Sequence, residues 1–150
     1  MIGGFIVTGA NVKRVRLRGR GPSRSQDHLS GVLANPVLQL FDDNGELIET
    51  NDNWTLPGNL PANLVPTDPA ESLLTAILPA GNYTAVLSGV NGTGGLGLFE
   101  LYDLEAQNSR VANISTRGEG RPGGGGVIGG ILIGGRAPTR VIVRANGPSA

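Results

Sequence analysis

A chain of 150 residues is long enough for one domain with its own core, and a hydrophobic content of 39% sets it apart from a disordered tail. There is no cysteine, which excludes disulfides and thiolate metal sites, and a single histidine makes Ser-His, Cys-His and His-rich zinc arrangements hard to build. Basic and acidic residues balance at 12 each, lysine is nearly absent and aromatics are only 4%, so nucleic acid is not an expected partner.

In chain order, Ile2–Thr8 is a β-branched run whose Gly3-Gly4 pair permits a bulge or close backbone approach. Lys13–Gly19 alternates strictly, with Val15 and Leu17 on one face and Arg14, Arg16 and Arg18 on the other. Pro36–Phe41 is a strand, Asp42-Asp43-Asn44-Gly45 a turn with Asn-Gly suited to positive φ, and Glu46–Thr50 the returning partner. Residues 52–70 are rich in Pro, Asn and Asp and predict a long loop. Glu71–Leu78, a turn at Pro79-Ala80-Gly81, Asn82–Val90, a turn at 91–95, Leu96–Leu104 and Arg110–Thr116 follow. A glycine-rich connector leads to Val127–Ile133 and Thr139–Ala145. Helical periodicity is absent. About ten short strands separated by turns predict an all-β sandwich of jelly-roll or immunoglobulin-like type. No apolar run reaches the ~20 residues that a membrane-spanning helix needs, and the opening MIGGFIVTG lacks the basic start of a signal peptide.

The charge is not evenly spread. Residues 1–26 carry Lys13, Arg14, Arg16, Arg18, Arg20 and Arg24 and no acid, residues 27–109 carry eleven acids and no Lys or Arg, and residues 110–150 carry six arginines and one acid. Two readings stay open. Neighbouring strands pair their charges within one domain, or the basic ends of one copy meet the acidic middle of another and steer association. Arg14, Arg16, Arg18, Arg140 and Arg144 form the ladder that either reading uses.

The chain repeats itself. Ile2-Gly3-Gly4-Phe5-Ile6-Val7 aligns with Ile128-Gly129-Gly130-Ile131-Leu132-Ile133, Arg14–Arg18 with Arg140–Arg144, and Gly21-Pro22-Ser23 with Gly147-Pro148-Ser149. The offset is 126 throughout, and ten of the 22 positions over residues 2–23 are identical. Residues 1–126 therefore read as one full repeat, and 127–150 as the start of the next, supplying donor or linking strands. A tandem array or separate subunits with a duplicated two-strand block would both give this pattern. A two-strand block cannot bury its apolar face alone.

Asn35–Asp42 with Asn44-Gly45, then Asn51-Asp52 and Leu78–Thr84, resembles the bacterial pre-peptidase C-terminal domain, a non-catalytic jelly-roll module of secreted enzymes. A longer string, IGGFIVTG, RVRLRGRGPS, NPVLQLFDDNGELI, NDNW, LPAGNYTAVLSG, GLFELYDL and RVANISTRG, resembles a repeat of large surface proteins of environmental bacteria. Those repeats are similar to subunits of glycosylated, pilus-like extracellular fibrils. The resemblance implies an extracellular or cell-surface filament, built head to tail from copies of one chain by donor-strand complementation. Ile2, Phe5, Ile6 and Val7, or their counterparts Ile128, Ile131, Leu132 and Ile133, are then the inserted residues. The alternative is a carbohydrate- or calcium-binding sandwich in a tandem-repeat surface protein that does not polymerise.

Four N-x-[ST] sequons make Asn91, Asn53, Asn82 and Asn113 candidates, in that order, for covalent glycans. Asp42, Asp43 and Asp52 are oxygen ligands of the kind calcium takes. Their spacing lacks the order of a calcium loop, so Asx turns are the preferred reading and no cofactor is expected. No catalytic residue stands out: Glu100 and Asp103, the nearest carboxylate pair, fall on opposite faces of a strand. An enzyme is not expected.

Overall fold

The computed structural model describes residues 1–55, 64–105, 109–118, 127–132, 138 and 140–147. The described residues form eight strands: β1 (Ile2–Gly9), β2 (Lys13–Arg20), β3 (Pro36–Phe41), β4 (Leu47–Asn51), β5 (Ser72–Leu78), β6 (Gly81–Gly89), β7 (Leu98–Asp103) and β8 (Ser109–Arg117). Among the described residues there is no α-helix; short 3-10 turns lie at Pro22–Asp27 and Val90–Gly92. The strands form two antiparallel sheets, one in the order β4-β3-β6-β1-β8 and one in the order β5-β2-β7.

The sandwich follows from period-two burial. In β6 the side chains of Tyr83, Ala85 and Leu87 point inward; in β3, Leu38 and Leu40 do the same. Phe5 and Val7 of β1 and Val15 and Leu17 of β2 complete the centre from the two sheets. The rings of Phe5 and Tyr83 stack with centroids 5.4 Å apart, an arrangement worth about 0.5–1.5 kcal/mol beyond area burial. Strands β2 and β5 pack across β3, and the ring of Phe99 in β7 lies on Gly3 of β1, where a Cβ would stand 2.8 Å from it.

The β3–β4 hairpin turns where Asn-Gly predicts. Gly45 has φ of 80°, and Asp42 Oδ1 accepts the backbone N–H groups of Asn44 and Glu46 at 2.9 and 2.8 Å. Each of the first eight predicted strands exists, with ends within two residues of those expected. The described parts of Val127–Ile133 and Thr139–Ala145 contain no strand, and the eight strands of the described residues agree with the expected sandwich.

Candidate assembly site

The N-terminal block is seated in its own chain. β1 lies between β6 and β8, pairing Gly3 with Ala85 on one side and with Thr116 on the other. β2 lies between β5 and β7, pairing Leu17 with Leu74 and with Leu101. Both are central strands, so their backbone groups are satisfied on both edges and their inner side chains are covered. Phe5 and Val7 are buried, Ile6 is half-buried on the outer face, and Ile2 is exposed at the strand start.

The second block has the same sequence pattern and the opposite environment. Ile128, Leu132 and Ile142 are 94%, 96% and 92% exposed, and Ile131 and Val143 are 61% and 76% exposed. Ile133 lies outside the described residues. One two-strand pattern thus occurs twice in the chain, once folded into a sheet centre and once with its described apolar residues exposed to solvent. Of the assembly strands named above, the first set is therefore paired within its own sheet, whereas Ile128, Ile131 and Leu132 of the second are exposed.

The basic ladder of the first block finds its acids inside the same chain. Lys13 Nζ lies 2.9 Å from Asp103 Oδ1, Arg18 pairs with Glu100 and donates to the Tyr102 hydroxyl at 2.9 Å, and Arg14 faces Glu105 at 3.6 Å. Arg16 donates to Thr75 Oγ1 at 3.1 Å instead of to an acid. Burial lowers the affinity of Arg18 for its proton, but the hydrogen bond and charge of Glu100 outweigh it and hold the guanidinium above its ordinary value. Arg16, without a carboxylate, is pushed below that value by burial and then by Arg14. Within-domain pairing therefore accounts for the first basic segment. Arg140 and Arg144 are exposed and have no ion-pair partner among the described residues.

Sequence reasoning missed the group that reads the end of this block. Glu71 is fully buried, and its Oε1 accepts the backbone N–H groups of Gly21 and Ser23 at 3.1 and 3.2 Å as well as the Ser23 hydroxyl. Arg20 Nε stands 3.7 Å from the other oxygen, which has no hydrogen-bond donor. Glu71 thus clamps Gly21-Pro22-Ser23, the tripeptide that recurs at 147–149. The signal was present in the sequence as that recurrence, but nothing in the pattern tied it to a glutamate some 50 residues away.

The four sequon asparagines Asn53, Asn82, Asn91 and Asn113 are all exposed. Asn91 sits at φ of 55°, a conformation asparagine tolerates better than most residues. Of the calcium candidates, Asp42 is committed to the hairpin turn, Asp43 lies in the same turn and Asp52 in the bend after β4. Glu100 and Asp103 lie on opposite faces of β7, where they hold Arg18 and Lys13 of β2. Among the described residues no helix is long and apolar enough to cross a membrane. Comparison with protein-family models, curated proteins and solved structures finds no match.

Proposed function

We propose that this chain is a structural subunit of an extracellular filament, in which copies join head to tail by strand exchange. The observation that carries the reading is the pair of environments of one sequence pattern. Val15 and Leu17 have no exposed surface, whereas their counterparts Val141 and Val143 are 48% and 76% exposed. Exposed β-branched segments of this kind are costly to leave free and bind readily to an open strand position. A donor on one copy and an acceptor on the next make a contact that does not close on itself, which yields a fibre. Exposed sequon asparagines fit a glycan coat on such a surface, and the arginines at 140 and 144 supply charge for an acidic acceptor. The sugar-binding alternative has less to stand on. The single tryptophan, Trp54, is half-buried, and its Nε1 is tied to Asp68 O at 2.8 Å.

Sedimentation velocity and negative-stain microscopy of the whole chain test this. The chain should form concentration-dependent polymers, and Ile131→Asp should leave monomers. Polymers that persist after that change, or a chain that is monomeric at every concentration, remove the second block from any assembly role.

A further inference from the structure

We infer that residues 128–149 are a second occupant for the seat that β1 and β2 hold between β6, β8, β5 and β7. The inference names the acceptor of the proposed filament and rests on that reading for exchange between copies. The seat sets its demands position by position. At Gly3 an added Cβ would meet the Phe99 ring at 2.8 Å, and at Gly21 it would fall 1.9 Å from the carbonyl oxygen of Leu33. Neither position admits a side chain, and the second block has Gly129 and Gly147 there. The buried inward positions Phe5, Val15 and Leu17 become Ile131, Val141 and Val143, all apolar. Arg18, held by Glu100, recurs as Arg144, and the Gly-Pro-Ser read by Glu71 recurs intact. Both glycines that admit no side chain, the arginine held by Glu100 and the tripeptide read by Glu71 are thus kept in the second block.

The departures set the order of preference. Thr139 replaces Lys13 and forfeits the pair with Asp103. Ala145 replaces Gly19, where a Cβ would press on Ser72 Oγ and Leu87 Cδ1 at 2.5 and 2.6 Å, both side-chain ends that can turn away. The first block is thus the better fit. The second is nearer. Gly4 sits opposite Ser115 at a separation of 111 residues, whereas its counterpart Gly130 is 15 residues from Ser115 and follows β8 as an antiparallel hairpin would. Closure of the shorter loop is favoured about twenty-fold. Two occupants of one seat, one favoured by contacts and the other by proximity, give a chain whose β1–β2 position can change hands. The change occurs within a chain, or between copies when the second block enters a neighbour and releases that neighbour's first block.

The whole chain tests this with paired substitutions read by circular dichroism and amide exchange at dilution. Phe5→Asp should keep the β-sheet signal and the protection of β6 and β8, because the second block takes the seat. Phe5→Asp with Ile131→Asp should lose both. Equal loss in Phe5→Asp alone, or a double variant that stays folded, overturns the inference. A second measurement uses the absence of native cysteine. In the Phe5→Asp background, Gly130→Cys with Ser115→Cys should form a disulfide in register, and Leu132→Cys with Ser115→Cys should not. A monomeric disulfide reports exchange within a chain, a ladder of linked copies reports exchange between them, and indifference to register overturns the proposal. Monomers in every arm with a rescued Phe5→Asp would sink the filament and leave the second occupant standing.

Discussion

The ammonium of Lys13, with no exposed surface, lies 2.9 Å from Asp103 across the β2–β7 ladder and also donates to the carbonyl of Glu105. An interior charge of this kind depends on its partner more than the partner depends on it, since Asp103 keeps about a third of its side chain in water. Asp103→Ala should destabilise the chain by about 2–3 kcal/mol, because it leaves a buried charge without its carboxylate. Adding Lys13→Met should recover part of that loss. Both are to be measured by urea unfolding in an Ile131→Asp background, where only the first block can hold the seat. A double variant less stable than Asp103→Ala alone would contradict this account of the pair.

Core positions should divide into two classes. Leu38 is buried in β3, a strand with no duplicate, so Leu38→Ala should cost the full 3–4 kcal/mol or so of a central leucine. Phe5→Ala should fall short of the roughly 3–5 kcal/mol usual for a buried phenylalanine, because Ile131 stands ready at the equivalent position. Chemical denaturation of the two variants side by side gives the comparison.

Two adjacent glycines should behave oppositely. A Cβ at Gly95 would stand 2.6 Å from the backbone N and Cα of Leu33, whereas one at Gly94 would meet nothing within 4 Å. Gly95→Ala should lower stability by about 2–3 kcal/mol through overpacking against rigid backbone, while Gly94→Ala should stay within about 0.5 kcal/mol of the parent. Thermal melts of both decide it.

The alkaline limit of the fold should trace to its two tyrosines. Burial, and then Asp43 and Asp42, raise Tyr83 above its ordinary 10.0; burial and Glu100 raise Tyr102, against an opposing pull from Arg18 and Arg20. A group raised in the folded state holds its proton more tightly there than in the unfolded chain. Its stabilisation is complete below the ordinary tyrosine value and is lost as pH climbs through the raised one. Stability should therefore decline above about pH 10. Tyr83→Phe should be about 1 kcal/mol less stable at neutral pH, having lost the hydrogen bond to Pro79 O, yet show a shallower decline between pH 10 and 12. Denaturation midpoints across that range make the measurement.

Asn91 separates a conformational role from a glycan role. Its left-handed backbone means that Asn91→Gly should be neutral or slightly stabilising, and Asn91→Val should cost about 1 kcal/mol. If the native material carries a sugar there, both changes should remove the same mass from the purified protein.

Much of this architecture was legible because it is local. The alternation of Val15 and Leu17 with arginines, the Asn-Gly turn before Gly45 and the inward row of Tyr83, Ala85 and Leu87 each need only a few neighbouring residues to be read. The internal duplication was legible too. The order of strands in the sheets was not, since β1 meets β8 across most of the chain and no short-range pattern records that pairing. Nor were Lys13 and Glu71 recognisable as interior residues. Charged side chains default to the surface, and only the partners brought together by folding make their burial tolerable. The second block was read as two further strands because its apolar alternation is that of a strand. Alternation states a preference for a sheet and says nothing of whether one is within reach.

The antiparallel pairing of Ile2 with Arg117 has a mechanical consequence. The start of β1 and the end of β8 leave the sheet side by side, so tension applied between them peels the ladder one rung at a time instead of loading all its hydrogen bonds in parallel. A string of such bodies linked only at these two points would be soft. Seating a neighbour's segment between two strands on either side spreads the pull across two ladders at once, and would turn a row of easily unzipped beads into a cord.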